Sequence, residues 1–166
     1  MMITYRFVRL IEEHSDVLAT GLLNKVQQSD RTAGYSKVPA EQLKDWVYEI
    51  YRHLGEWLLH KNAGDVEKRY EEIGARRAQQ DVPLSQLLWA IILTKDNLWE
   101  FILDESYPDR PVEILGKQEL LQLLDQFFDR ALYSAAVGYE RAMEANGGRK
   151  KSGMVRAEKH VVGERV

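Results

Sequence analysis

Four residues of one helical segment carry side chains able to ligate a metal: Glu49, His53, Glu56 and His60 follow one another at intervals of four, three and four. At ~100° per residue they fall within roughly a 60° arc, so two carboxylates and two imidazoles share one helix face. The apolar stripe on Leu43, Ile50 and Leu54 lies roughly 110° away around the same helix. The row therefore reads as a solvated face whose Glu and His make ordinary i,i+4 pairs. A di-iron carboxylate bundle needs Glu-x-x-His at three-residue spacing on two helices, and here the Glu-to-His intervals are four. No metal is expected.

Haem is the other cofactor that a helical bundle accommodates, and His53 and His60, with His14, are its candidate axial ligands. With no cysteine in the chain, only non-covalent attachment is open, and an isolated His on a helix is more often a surface or capping residue. The same lack of cysteine removes disulfides, thiolate catalysis and Cys-ligated zinc or iron–sulfur centres. There is no Gly-rich phosphate loop, no GxSxG and no HExxH, and adjacent acidic pairs such as Glu12-Glu13 and Glu71-Glu72 point to different helix faces. The chain is expected to be neither an enzyme nor the carrier of a cofactor. Trp46, Trp57, Trp89 and Trp99 fall on or beside apolar stripes, which makes packing with one edge wet their default role.

The elements that position these residues are all helical. Gly and Pro divide the chain into five long segments with helical periodicity, and no strand pattern is visible. The first segment spans Thr4 to Gln27, with Phe7, Ile11, Leu18 and Leu22 on one face. The second opens at Pro39 and carries Leu43, Trp46, Val47, Ile50, Leu54, Trp57 and Leu58. Asp65 is a good N-cap for the third, which carries Val66, Tyr70, Ile73 and Ala78 and stops at Gln80-Asp81. After Asp81-Val82-Pro83, the fourth runs to Leu103 and is apolar on nearly every side, which predicts that it is surrounded at the centre of the bundle. Beyond the turn at Tyr107 to Pro111, the fifth extends from Val112 to Ala145. Its apolar positions cover more than one face, Val137-Gly138 marks a weak point, and Asn146-Gly147-Gly148 should stop it.

The expected fold is thus all-α: five long helices in an antiparallel bundle, with a long C-terminal helix. Periodicity fits a globin-like arrangement equally well. Residues 1–146 form one domain, and 147–166 form a basic, disordered tail. Six Lys or Arg against two Glu put +4 on that tail, leaving −7 on the body. An acidic body lacks the basic face that nucleic-acid binding requires. The apolar run from Leu84 to Leu103 is broken by Lys95, Asp96 and Asn97, so no membrane span is expected. Neither is a secretory signal, and the cytoplasm is the expected compartment.

The segment Ile73 to Leu103 has a further identity. Arg76-Arg77-Ala78, then Val82-Pro83-Leu84, Leu87-Leu88 and Leu98-Trp99, together resemble the N-terminal helical domains of RsbR-type co-antagonists of bacterial stress signalling, the stressosome regulators. That family commonly has Gly where this chain has Asp81, which suggests a turn made differently. The resemblance implies a sensory or docking domain, often dimeric and globin-like without haem, that regulates an output domain instead of catalysing. The usual β-containing STAS output has no counterpart after Asn146, so action through a separate protein partner is expected. Dimerisation is assigned to the long last helix, through Leu121, Leu124, Phe128 and Leu132. The alternative is a ligand-binding sensor for haem or a small apolar molecule.

Overall fold

In the computed structural model, residues 2–104 and 111–161 are described, and the side-chain surroundings of 4–104 and 111–148. Seven α-helices follow one another: α1 (Met2–Glu13), α2 (Ser15–Gln28), α3 (Ala40–Arg52), α4 (Leu54–Leu59), α5 (Ala63–Gln79), α6 (Leu84–Asp104) and α7 (Pro111–Val161), with a 3-10 segment, Asp30–Lys37, between α2 and α3. There is no strand among the described residues, so the all-α expectation holds. Two of the five expected helices are each broken once. The breaks fall at His14 (φ −102°, ψ 15°) and His53 (φ −115°, ψ 29°), where the backbone leaves helical geometry and the next helix starts afresh. The turn expected at Tyr107 to Arg110 lies outside the described residues; Pro111 is the first residue of α7.

The connection from α5 to α6 is made by a left-handed residue. Asp81 has φ 56°, its N–H reaches the Ala78 carbonyl (3.2 Å), and the Val82 N–H reaches that of Arg77 (3.1 Å). This is the paired 5→2 and 6→1 pattern of a Schellman cap, which satisfies carbonyls that the helix end leaves open. Asp tolerates this region better than most side chains. The turn is therefore not made differently for want of glycine: Asp81 takes the conformation that glycine favours. Val82, completely buried, and Pro83 then launch α6. At the other end of α5 the N-cap is Asn62, not Asp65. Asn62 Oδ1 accepts from the Asp65 N–H (2.9 Å) and Asp65 returns a bond to the Asn62 N–H (3.2 Å), a reciprocal capping box.

α5 and α7 form the most extensive helix–helix contact of the chain. Tyr70 and Phe127 pack edge to face, and further along both helices Gly74 meets Ala135 and Tyr139, so the two helices run side by side in the same sense. The approach is at backbone level. A Cβ added to Gly74 would overlap the Ala135 carbonyl, and one added to Gly138 would overlap that of Glu71. Gly138 is therefore a contact point of the core and not a weak point in α7. α7 also continues through Asn146-Gly147-Gly148 instead of ending there.

α6 is not enclosed as expected. Leu87, Ala90, Ile91, Leu98 and Ile102 are buried, while Leu88, Trp89, Ile92 and Trp99 are half-buried and Leu103 is exposed. Its inner face is pinned by Asn97, whose amide donates to the Leu18 carbonyl (2.9 Å) and meets the Tyr51 hydroxyl (3.3 Å), while Lys25 Nζ donates to its Oδ1 (2.9 Å). Tyr51 donates onward to the Thr94 carbonyl (3.0 Å). This satisfied polar node fixes the register of α2, α3 and α6 against one another.

Because no side chain can move out of the way of a backbone carbonyl, Gly138→Ala and Gly74→Ala should each lower stability by about 3 kcal/mol, at the upper end of what an inserted methyl costs in a packed core. Gly147→Ala, in open space, should instead raise helix stability by about 1 kcal/mol. Urea denaturation of the three variants checks both signs.

Candidate functional site

The Glu/His row does not survive as a unit. The break at His53 interrupts the helix that would have aligned it, and Glu49, His53, Glu56 and His60 are all exposed. Glu49 pairs with Arg69 (3.0 Å) and Glu56 with Lys61 (3.7 Å). Among the described residues no group of three or more His, Asp and Glu is disposed to hold a metal. His14 also lies at the surface, bonded through Nδ1 to the Leu10 carbonyl (2.8 Å) and packed on Phe101. The four α7 residues assigned to a dimer face point into or against the chain's own core: Leu124 and Phe128 are buried, and Leu121 and Leu132 pack half-buried against the core cluster.

The structure draws attention instead to the last turn of α5. Arg76 and Arg77 both suit a helix C-terminus, where cations complement the macrodipole. Arg76 does so from the surface, with its guanidinium 5.5 Å from the Trp46 ring centre. Arg77 turns inward and is only 2% exposed. The sequence carries a signal for this that type alone obscures: Val66, Tyr70, Ile73 and Arg77 fall at intervals of four, three and four, so an arginine occupies the next position of the buried stripe.

Arg77 is poorly compensated for a buried cation. Its Nη1 donates to Gln80 Oε1 (2.7 Å), and its guanidinium carbon lies 5.5 Å from the Tyr35 ring centre. Its Nε has no partner, and none of the ion pairs among the described residues involves it. Burial pulls the arginine's pKa down, partly offset by Tyr35, and Tyr35's is raised by its own burial against the opposing pull of Arg77. At neutral pH the pair is a neutral phenol beside a guanidinium.

Both side chains line a pocket of about 50 Å³ whose remaining wall is mainly apolar, including Val47, Ile50, Leu87 and Ile91. Tyr35, Val26 and Leu43 also border a second hollow of about 500 Å³, walled by the 3-10 segment through Thr32, Ser36 and Lys37. Tyr35 thus lines both spaces. Thr32 anchors this segment: completely buried, it donates from Oγ1 to the Val26 carbonyl (2.6 Å).

A second feature is the uncovered side of α6. At ~100° per residue, Leu88, Ile92, Trp99 and Leu103 fall within roughly a 60° arc, and none is buried in the chain. At the start of α7, Val112, Ile114 and Leu115 are exposed as well.

Compared with known proteins, residues 16–152 match the family model described as the RsbT co-antagonist protein rsbRD N-terminal domain. No curated protein and no solved structure matches the chain. The matched span runs from α2 into α7 and includes the Arg77 cavity and the half-buried outer face of α6.

A buried charge without a counter-ion is not retained for stability. Arg77→Met, which keeps the length and removes the charge, should leave the melting temperature unchanged or raise it, by the equivalent of about 1 kcal/mol. Thermal unfolding followed by circular dichroism checks this, and a marked loss of stability would make Arg77 a structural residue.

Proposed function

Because the chain belongs to the family of RsbT co-antagonist protein rsbRD N-terminal domains, and hence to the regulatory domains of stress signalling, we propose that it acts without catalysis, as a homodimer that docks a separate protein partner. The cytoplasm of a bacterium is the setting that this reading requires. No helix among the described residues is long and apolar enough to cross a membrane, which is compatible with it.

The observation that carries the proposal is the outer side of α6. Leu88, Ile92, Trp99 and Leu103 repeat at intervals of four, seven and four, the spacing of a helix–helix seam, on a helix whose opposite side is already packed. A second copy supplies a like surface by twofold symmetry, since a face that pairs with itself closes the assembly at two. The α7 residues Leu124 and Phe128 are covered within one chain, so α6 is the face that this reading assigns to the partner copy. A docked partner protein then senses the geometry of the pair. The regulatory reading needs no nucleophile, acid–base pair or bound group, and the surface carboxylates Glu49 and Glu56 serve as ion-pair partners of Arg69 and Lys61.

Light scattering on the purified chain should give twice the 19.3 kDa of one copy. Ile92→Glu, which places a charge at the centre of the seam, should give the monomer mass with the helical spectrum retained. A wild-type chain that stays monomeric at concentrations on the order of 100 µM, where a micromolar dimer would be almost fully formed, contradicts the proposal, as does a dimer indifferent to Ile92→Glu.

A further inference from the structure

A guanidinium held away from water without a carboxylate of its own is prepared for an anion, because an incoming negative charge relieves the cost of burying the positive one. We propose that the cavity bounded by Arg77 and Tyr35 binds a short-chain monocarboxylate, with its carboxylate on the Arg77 guanidinium and its alkyl group against Ile50, Leu87 and Ile91. This goes beyond the docking role and does not rest on dimerisation.

Three observations carry it. The first is the state of Arg77, almost wholly buried, with Nε unpartnered and only neutral groups beside it, the Gln80 Oε1 that accepts from Nη1 and the Tyr35 phenol. Guanidinium and carboxylate pair through two parallel hydrogen bonds, the strongest recognition open to this side chain. The second is size. About 50 Å³ at ~10–15 Å³ for each water-sized group holds roughly three to five heavy atoms, which is the bulk of acetate or propionate. The third is the wall. Apart from Arg77 and the phenol hydroxyls, it is mainly aliphatic and aromatic, so an alkyl group is favoured there and a hydrated inorganic anion is not.

Tyr35 supplies the rest of the design. As a neutral phenol it can donate to the same carboxylate, and it belongs to the 3-10 segment that also walls the larger hollow. Entry past Tyr35 needs only that segment to shift. Lys37, on the wall of the second hollow with its Nζ on the Asp81 carbonyl (3.1 Å), places one cation beside the approach. A bound acid would tie the 3-10 segment to the end of α5 through Tyr35 and Arg77.

The test uses the full chain with sodium propionate, propionamide and sodium chloride at matched ionic strength, read by titration calorimetry and by the melting temperature. Propionate should give a saturable heat and a melting temperature that rises with its concentration. The amide, equal in shape and uncharged, and chloride, charged without an alkyl group, should give neither. Arg77→Met should weaken propionate binding at least about tenfold, and Ala90→Leu, which fills the cavity and leaves Arg77 in place, should do the same. Equal responses to propionate and propionamide, or to propionate and chloride, overturn the proposal, as does full binding by Arg77→Met. The comparison of ligands on the wild-type chain decides the matter even if a variant fails to fold.

Discussion

The approach of α5 to α7 is the constraint from which the rest of the structure follows. Two helices approach this closely only where one of them lacks a Cβ, and here Gly74 faces the backbone of Ala135 and Tyr139 while Gly138 faces that of Glu71. That contact fixes both the separation and the rotation of the two helices, since a turn of either about its axis would drive a neighbouring side chain into the partner. With α5 held in this rotation, Tyr70 reaches Phe127, which in turn meets Phe128 and Trp57. The same rotation sets the direction of the stripe Val66, Tyr70, Ile73 and Arg77.

The buried arginine is a consequence of that placement. A residue one turn beyond Ile73 on the inward face of α5 has no route to solvent, because Asp81 reverses the chain and Val82 seals the end of the helix. Had the position been occupied by Leu, the cavity beside Tyr35 would have been closed by ordinary packing. The charge keeps that space polar at one point and apolar elsewhere, which is the pattern of a small-ligand site. The proposed docking surface lies elsewhere, on the outer side of α6, whose inner side contributes Leu87, Ala90 and Ile91 to the cavity wall. One helix therefore borders both features, and rotation or displacement of α6 is the movement that would couple them.

How much of this was legible in the sequence depended on whether the deciding interaction was local. The helical class, the long last helix and the α5–α6 reversal follow from periodicity and from turn chemistry within a few residues. The breaks at His14 and His53 do not, since neither histidine forbids a helix and each break reflects the packing of the flanking segments. Asn62 was missed as the cap because Asp65 is an equally good capping residue by type, and only the reciprocal hydrogen bonds separate the two roles. Gly74 and Gly138 are unremarkable in a helix until the partner backbone is in place. By type, Arg77 is as good a helix-end cation as Arg76. The signal that separates the two, its register with the apolar stripe, depends on phase and not on composition. The apolar outer side of α6 was visible, but periodicity cannot distinguish a helix enclosed by its own chain from one left for another.

If the glycine crossing holds the fold together, it should also be the last part to open. Native-state hydrogen exchange on the wild-type chain measures this amide by amide. The account predicts that the amides of Tyr70 to Ala78 and of Ala131 to Tyr139 exchange only through global unfolding and share its free energy and denaturant dependence. Exchange of those amides by local opening, while α2 and α3 remain protected, would contradict it.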